Sequence, residues 1–421
     1  MNFHGCLVSA LLVAGLHCGS WTEAFSQQSV KFANQERVTT LTLLTLPTKP
    51  LTTFPLGGER PRQRCMLNML LGGGMRSEAP KMGKETVLQL QHTSAPRELV
   101  KVAHANIGDL RRSHLAQTLL RIAKPLTETK SSDIREDILC DPRLHDIFMA
   151  ACAPDAQSKR RHGKACQAAD VVWACGLLNW CPDMSALYSM VDLAEKQAGE
   201  LQPHHVTNIV WSLDRLGCTG KTGDWFRDYA SHLPFRVIPG LFPGLHVDDF
   251  RGEVAFERDE IMLGEDKSKR ISESRLTAWQ SCGGLEFSYS GKVMSPSPFS
   301  PNVLRLKDAL HQHTGVLYDG VLLNLYETRS SAMRYHSDPD VGTVWTSHTT
   351  VVSVGDTRQF ALREIGDHSR RHMYHVFSGD AVIMGEGCQE RYQHCIKVAK
   401  GEVNPRISLV FKQSISGQVG T

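Results

Sequence analysis

Two patterns of hydrophobic positions divide the chain near residue 233. Between about residue 95 and residue 233, apolar side chains recur at three- and four-residue spacing with Pro and Gly between the runs, which predicts helices. From about Phe235 onward, short β-rich runs are separated by Gly and Pro, which predicts a sandwich or jelly roll. The expected fold class is α+β multidomain, with helices in 96–233, a β domain in 234–416 and a short tail in 417–421.

Two of the helical segments are similar to each other. Residues 167–178 read QAADVVWACGLL and residues 205–217 read HVTNIVWSLDRLG, which places Trp173 and Trp211 38 positions apart. Residues 114–123 are a candidate degenerate copy. A period of this size predicts stacked helical pairs. The segments resemble the octotricopeptide-type repeats of organellar RNA-binding proteins, and an ordinary helical domain with buried tryptophans is the alternative interpretation.

The first 95 residues have the character of a targeting leader. An apolar run from Cys6 to Leu16, too short to span a membrane, precedes small residues near Ala24, which predicts a signal peptide at 1–24. Residues 25–95 are rich in Ser, Thr, Leu, Gly and Pro and carry nine Lys and Arg against four acidic residues, a composition that predicts a disordered transit segment. The predicted signal peptide and transit segment together resemble the bipartite leader of algae with secondary plastids. We therefore expect a plastid protein without a transmembrane span when mature; the secretory pathway and the mitochondrion are the alternatives.

Composition narrows the class of protein. The chain is 41% hydrophobic and 22% charged with a net charge of +3, which excludes a disordered, collagen-like or wholly membrane-embedded protein. Its twelve Cys contain no Cys-x-x-Cys, which argues against a zinc ribbon, a thioredoxin-like pair and a small disulfide scaffold. The 47 Lys and Arg nearly balance the 44 Asp and Glu, so the overall charge neither requires nor excludes nucleic acid.

The first candidate metal ligands in the sequence are His336 and Asp338. These residues are two apart, so on an extended segment their side chains share a face. Two His and one carboxylate leave open positions on a non-haem Fe(II) for a cosubstrate and dioxygen. His246 and Asp248 have the same spacing without an assigned role, so the pair by itself is a weak signal.

Two neighbouring strands supply the context. In residues 321–326, Asn324 and Tyr326 alternate with apolar residues and are predicted to point into a cavity. In residues 406–412, Arg406, Ser408 and Lys412 lie opposite the apolar positions. A buried Arg requires an anion, and a dicarboxylate cosubstrate would satisfy it.

The second metal-binding histidine is predicted to lie between the core strands and Arg406. Five residues compete for this role: His348, His368, His372, His375 and His394. His394 closely follows a strand bounded by Gly turns and lies twelve residues before Arg406, whereas the others fall in apparent loops or flanking segments. We therefore select His394.

Taken in order, these motifs resemble the AlkB family of Fe(II)- and 2-oxoglutarate-dependent dioxygenases. The resemblance runs over residues 236–416 and rests on Asn324-x-Tyr326, His336-x-Asp338, the segment 351–360, His394 and the strand 406–412. Residues 275–279 and 287–291 resemble the nucleotide-recognition lid of the branch that repairs alkylated nucleic acid. The fold that this resemblance implies is a double-stranded β-helix.

The resemblance implies a role for each matching residue. His336, Asp338 and His394 would bind Fe(II), and a second group would bind 2-oxoglutarate: Asn324, Tyr326, Arg406, Ser408 and Lys412. The family usually has a second Arg where this chain has Lys412, and Lys lacks the planar fork of Arg. Three aromatic residues of the lid segments are candidates for stacking on a substrate base: Trp279, Phe287 and Tyr289.

The implied activity is oxidative demethylation of N-alkylated nucleobases with O2 as co-reactant, releasing formaldehyde, succinate and CO2. Residues 235–421 carry 21 Lys and Arg against 22 Asp and Glu, so a nucleic-acid groove must be local or be supplied by the helices. We expect a monomer acting on RNA more readily than on DNA. The alternatives are an AlkB-like oxygenase acting on a protein or small molecule, and a repeat-led organellar RNA-binding protein.

Overall fold

The computed structural model describes residues 82–127, 132–153, 163–263, 269–401 and 403–416. The predicted signal peptide and the predicted transit segment as far as residue 81 lie outside the described residues. The first helix begins at Met82, inside the segment assigned to the leader. Within the described ranges no helix combines the length and the apolar character that crossing a membrane demands. The described residues fall within one compact unit, Ser77–Thr421.

The chain before residue 233 is helical, as the apolar periodicity predicts. The helices are α1 Met82–His92, α2 Pro96–Ala105, α3 Arg112–Thr127, α4 Ser132–Leu139, α5 Pro142–Cys152, α6 Lys164–Leu178, α7 Met184–Lys196, α8 Pro203–Arg215 and α9 Asp224–Ser231. Local signals set several ends: Asp141 and Asp183 accept backbone N–H groups at the starts of α5 and α7, and Asn179 adopts a left-handed conformation after α6.

Helices α6 and α8 carry the two similar segments and pack directly on each other. A Cβ atom at Gly176 would lie 2.3 Å from Ser212 Oγ, so only glycine permits this approach of the two helices. The buried tryptophans occupy corresponding positions and contact one segment of the β domain, residues 375–377, at the end of a strand. Trp173 lies 5.9 Å from His375 and Trp211 lies 6.1 Å from Phe377, measured between ring centroids. The matching tryptophans therefore join the helices to the β domain.

From Phe235 the described part of the chain forms strands, with three further α-helices. The elements are β1 Phe235–Ile238, α10 Val247–Arg251, β2 Glu260–Leu263, β3 Lys269–Ser272, β4 Leu276–Ser281, β5 Phe287–Tyr289, β6 Lys292–Met294, α11 Pro301–Thr314, β7 Gly320–Tyr326, β8 Met333–His336, β9 Trp345–Gly355, β10 Arg358–Glu364, β11 Arg371–Val376, β12 Ala381–Met384, α12 Cys388–Arg391, β13 Tyr392–Ile396 and β14 Arg406–Ser414.

The main strands form two antiparallel sheets. The larger has six strands in the order β1-β12-β9-β14-β7-β4, and the smaller has four in the order β11-β10-β13-β8. Two short hairpins, β2-β3 and β5-β6, lie outside them. The order is not sequential because the chain crosses repeatedly from one sheet to the other, as in the predicted jelly roll.

Alternation along β7 and β14 separates a core face from a cavity face. The apolar residues of both strands pack in one cluster with α10 and α11, and this cluster includes Leu323 and Leu409. In the register of the pair, Arg406 lies opposite Tyr326 and Ser408 lies opposite Asn324. Because side chains alternate across a strand, the predicted polar set shares the other face.

Candidate metal and cosubstrate site

Three possible metal ligands converge at one end of the four-stranded sheet. His336 ends β8, Asp338 follows it, and His394 on β13 lies opposite His336 in the strand register. Asp338 Oδ1 is 3.8 Å from His336 Nε2 and 3.6 Å from His394 Nε2. Among the residues with a described position, these form the one group of three His, Cys, Asp or Glu whose ligand atoms lie within 4.8 Å of one another. Two imidazoles and a carboxylate suit Fe(II) with open coordination positions.

The groups behind the three ligands orient them toward a common point. His336 Nδ1 lies 2.8 Å from the Arg334 carbonyl oxygen, so a proton on Nδ1 leaves Nε2 free to bind metal. Asp338 Oδ2 accepts hydrogen bonds from Lys412 Nζ at 2.6 Å, Thr349 Oγ1 at 3.2 Å and Gln389 Nε2 at 3.3 Å. Oδ1 is the carboxylate oxygen that remains for a metal.

The electrostatic environment keeps all three ligands in their metal-binding protonation states. Burial would raise the pKa of Asp338, but Lys412, followed by His394 and His336, lowers it well below its usual range. Burial lowers the pKa of His394 to about 3, and it also lowers the pKa of His336. At neutral pH the site therefore has one anionic carboxylate and two neutral imidazoles.

A second polar group, which we name the arginine pocket, consists of Asn324, Tyr326, Ser353, Arg406 and Ser408. Arg406 and Tyr326 are both 0% exposed. Arg406 Nε donates to Ser353 Oγ at 3.0 Å, whereas both Nη atoms and the Tyr326 hydroxyl have no hydrogen-bond partner among the described residues. Burial lowers the pKa of Arg406 to about 10, which leaves it charged at neutral pH. A buried cation with free donors fits one carboxylate of 2-oxoglutarate.

A third polar group, the glutamate cluster, lies beside the arginine pocket and consists of Asp259, Glu273, Arg275, Tyr289 and Lys292. The Glu273 side chain is 0% exposed and is 3.2 Å from Arg275 Nη2 and 3.5 Å from Lys292 Nζ. Tyr289 donates its hydroxyl to Glu273 at 2.9 Å from Oε2, and Lys292 also pairs with Asp259.

Asn324 connects these two polar groups. Its Oδ1 accepts a hydrogen bond from Arg275 Nε at 2.7 Å, and its Nδ2 donates to Ser408 Oγ at 3.4 Å. The lid segment that contains Arg275 is therefore joined directly to the predicted cosubstrate strand.

The structure places the predicted site residues in three different settings. His336, Asp338 and His394 lie together, and Asn324, Tyr326, Arg406 and Ser408 share the arginine pocket. Lys412, assigned to 2-oxoglutarate from the sequence, contacts the metal-binding carboxylate, and its assignment to the cosubstrate stays a prediction.

The aromatic candidates pack mainly against protein. Trp279 and Phe287 are each 2% exposed, and their stacked rings are 4.7 Å apart between centroids. Trp345 lies against both rings and completes a small aromatic core. The Tyr289 hydroxyl is directed to Glu273. These contacts support the packing role that lid residues can have.

Sequence reasoning missed Thr349, Ser353 and Gln389. Ser353 interrupts the apolar run 351–354 of β9, so the alternation used for β7 would have found it. Thr349 lies on the same face in the polar stretch 346–350, where alternation does not distinguish it from its neighbours. Gln389 lies in the short helix α12, and no sequence pattern connects it with Asp338.

Comparison with known proteins agrees with this geometry. Residues 245–412 match the model of the 2OG-Fe(II) oxygenase superfamily. The chain is 33% identical over 155 residues to the uncharacterized protein R406 of Acanthamoeba polyphaga mimivirus, which is 37% of this chain and 80% of that protein. The chain therefore belongs to the 2-oxoglutarate- and Fe(II)-dependent oxygenase superfamily, as an AlkB-like member.

Two bovine proteins with AlkB names are also similar to this chain. The chain is 31% identical over 147 residues to the bovine alpha-ketoglutarate-dependent dioxygenase alkB homolog 3, covering 33% of this chain and 51% of the relative. It is 27% identical over 137 residues to the bovine DNA oxidative demethylase ALKBH2, covering 31% and 49%. The chain spans about half the length of these two relatives. Membership makes it an oxidoreductase of the dioxygenase class whose cofactors are Fe(II), 2-oxoglutarate and O2. These matches give no support to the helical-repeat resemblance.

Proposed function

We propose that the protein oxidatively removes N-linked alkyl groups from nucleobases of RNA or DNA, releasing formaldehyde, succinate and CO2. The observation that carries the proposal is a buried Arg406, whose two Nη atoms have no hydrogen-bond partner among the described residues, in the same domain as the His-Asp-His metal site. The names of the curated relatives support the reaction class, since one is described as a DNA oxidative demethylase.

The chain's own residues prepare the site for this chemistry. When bound, Fe(II) with 2-oxoglutarate and O2 supplies the oxidising power for hydroxylating a C–H bond. Lys412 keeps Asp338 ionised and turns Oδ2 away from the metal position. Arg406 and Tyr326 would hold the distal carboxylate of 2-oxoglutarate. The two sheets enclose these groups, which limits the access of water and of competing reductants.

A nucleobase must leave its stack to reach a metal between two sheets, so a single strand is the simplest substrate. We propose RNA as the preferred substrate because the helical region precedes the oxygenase domain and resembles organellar RNA-binding repeats. DNA is the alternative that the ALKBH2 likeness favours. Delivery by the leader predicted in residues 1–95 would place this activity in a plastid.

Product formation with defined substrates tests the proposal. The full chain, loaded with Fe(II) under anaerobic conditions, is given 2-oxoglutarate and air with methylated RNA, methylated DNA or no oligonucleotide. We expect formaldehyde and succinate to form in equal amounts with a methylated oligonucleotide. The variant His336→Ala should be inactive, whereas His313→Ala, an exposed histidine of α11, should retain activity.

Two results would reject the proposal. Turnover no greater than that of His336→Ala would show that the chain is not an active oxygenase. Succinate formation that is unaffected by either methylated oligonucleotide would indicate a protein or small-molecule substrate.

A further inference from the structure

Among the described residues, three cations on the outer face of the four-stranded sheet form no ion pair with a carboxylate: Arg363, Arg371 and Lys397. Arg363 of β10 lies opposite both Arg371 of β11 and Gln393 of β13, and it donates to the Gln393 amide oxygen at 2.7 Å. Its neighbours in the sequence and in the register, Leu362 and His394, point to the opposite, buried face. Arg363 is therefore on the surface of the sheet that faces away from the metal.

Tyr335 brings a third cation into this surface. The Arg363 guanidinium carbon is 4.0 Å from the Tyr335 ring centroid, and Lys397 Nζ is 4.3 Å from it. Arg371 lies opposite Arg363 in the strand register and therefore shares this face. Within the described ranges no carboxylate lies within 4.0 Å of Arg363, Arg371 or Lys397. Two positive charges, Arg363 and Lys397, therefore lie against the Tyr335 ring, and Arg371 lies beside Arg363.

The helical region extends the same surface. Lys124, near the end of α3, lies 4.6 Å above the Trp173 ring, and Trp173 contacts His375 of the sheet. Burial lowers the pKa of Lys124, the carboxylate of Asp170 on α6 raises it, and the nearby Lys400 lowers it further. Burial lowers the pKa of His204 on α8, and the positive charges of Arg371 and Lys124 lower it further.

We infer that a strip of five cations binds the phosphate backbone of a single nucleic-acid strand. This cationic strip consists of Lys124, Arg363, Arg371, Lys397 and Lys400. Clustered like charges repel one another and are stabilised by a polyanion. Three of the five, Arg363, Arg371 and Lys397, form no ion pair with a described carboxylate. The whole β domain has no net positive charge, so the strip is a local feature and not a general basic surface. The choice of nucleic acid as the polyanion rests on the proposed function.

The position of the strip relates it to the metal site. Tyr335 directly precedes His336 on β8, and β8 is the edge strand of its sheet. A nucleic-acid backbone bound on the outer face near Tyr335 lies beside β8, the strand that ends in the metal ligand His336. The helices and the sheet each contribute cations, so substrate binding requires both regions of the chain.

Binding of unmethylated single-stranded RNA to the full chain, without Fe(II) or 2-oxoglutarate, tests the inference separately from catalysis. Anisotropy of a labelled oligonucleotide is measured at several KCl concentrations. The double variant Arg363→Ala/Lys397→Ala should weaken binding about 25-fold at about 0.1 M salt, and it should reduce the slope of log affinity against log salt by about 1.4. Lys124→Gln should reduce the slope by about 0.7.

Matched variants separate charge from folding. Arg363→Lys/Lys397→Arg and Lys124→Arg preserve charge and should restore affinity and slope. Arg236→Ala/Arg305→Ala removes two exposed arginines from β1 and α11, outside the strip, and should bind like the unaltered chain.

Several outcomes would overturn the inference. One is equal binding by the Arg363→Ala/Lys397→Ala and Arg236→Ala/Arg305→Ala variants. Another is displacement of RNA by polyglutamate as effective as by unlabelled RNA of equal charge, which would indicate an acidic protein partner. Failure of catalysis with normal strip-dependent binding would instead reject the proposed function and leave this inference standing.

Discussion

The arginine pocket and the glutamate cluster are adjacent, and each has a buried charge, Arg406 and Glu273, but only the glutamate cluster neutralises its own charge. Glu273 contacts Arg275, Lys292 and Tyr289, so the acid and the cations of the glutamate cluster neutralise each other. Arg406 has no such acid, and both its Nη atoms lack partners among the described residues.

This difference separates a binding site from a structural network. A buried charge that is already paired stabilises the local structure, whereas one left unpaired costs free energy until a ligand arrives. We therefore expect substitutions in the arginine pocket to affect cosubstrate affinity, and substitutions in the glutamate cluster to affect stability.

The largest effect is expected for Arg406→Met. Losing the buried guanidinium should weaken 2-oxoglutarate binding by about 3 kcal/mol, or roughly 100-fold, because the distal carboxylate loses its cation. The free energy of unfolding without ligand should not fall, since an unpaired buried charge is removed. Calorimetric titration of the Mn(II)-loaded chain and urea unfolding measure the two quantities. Arg236→Met, at an exposed position, is the control, and a clear loss of stability in Arg406→Met would contradict the comparison.

Glu273→Gln should have the converse effect. Neutralising the acid leaves Arg275 without an acidic partner and Lys292 with Asp259 alone, so we expect the free energy of unfolding to fall by about 2 kcal/mol. Affinity for 2-oxoglutarate should change little. Urea unfolding is the measurement, with Glu286→Gln, an exposed acid, as the control. Equal stability of the two variants would show that the glutamate cluster is not a stabilising network.

A matched pair of tyrosine variants tests the same contrast, with an expected change of about 1 kcal/mol in binding or unfolding free energy. Tyr326→Phe removes a hydroxyl without a partner, so it should reduce 2-oxoglutarate affinity and leave stability unchanged. Tyr289→Phe removes a hydroxyl that donates to Glu273, so it should reduce stability and leave that affinity unchanged. The same pattern of losses in both variants would contradict the distinction.

The smallest effect concerns the metal ligands. Because burial lowers the pKa of His394 to about 3, that imidazole stays neutral at about pH 6, and burial also lowers the pKa of His336. Mn(II) affinity should therefore fall less from about pH 7.5 to about 6 than the roughly tenfold loss of two ordinary histidines. Calorimetric titration at each pH, with His336→Ala as the control for nonspecific binding, tests this. A tenfold loss would show that the imidazoles titrate normally.

Local sequence patterns anticipated the cavity face of the β domain. Alternation in β7 and β14 predicted that Asn324, Tyr326 and Arg406 face away from the apolar core, because a strand has a fixed two-residue period. The position of His394 between a Gly-bounded strand and Arg406 distinguished it from four other histidines. These inferences need only the order of residues along a strand.

Contacts between distant segments could not be predicted in this way. Lys412 faces the cavity as the alternation predicts, but its contact with Asp338 depends on how β14 and the segment after β8 meet across the two sheets. Trp173 and Trp211 repeat at a regular spacing, yet only the packing of α6 and α8 on β11 shows which surface they contact.

The sequence by itself determined the division into helices and strands, the polar face of the cavity and the residue types suited to iron and a dicarboxylate. Periodicity and side-chain chemistry are local properties, so they can be read without coordinates. The tertiary structure decided which charges are paired: within the described ranges Arg406 has no acidic partner, whereas Glu273 has two cations. Pairing depends on distances between residues that lie far apart in the sequence, and only folding sets those distances.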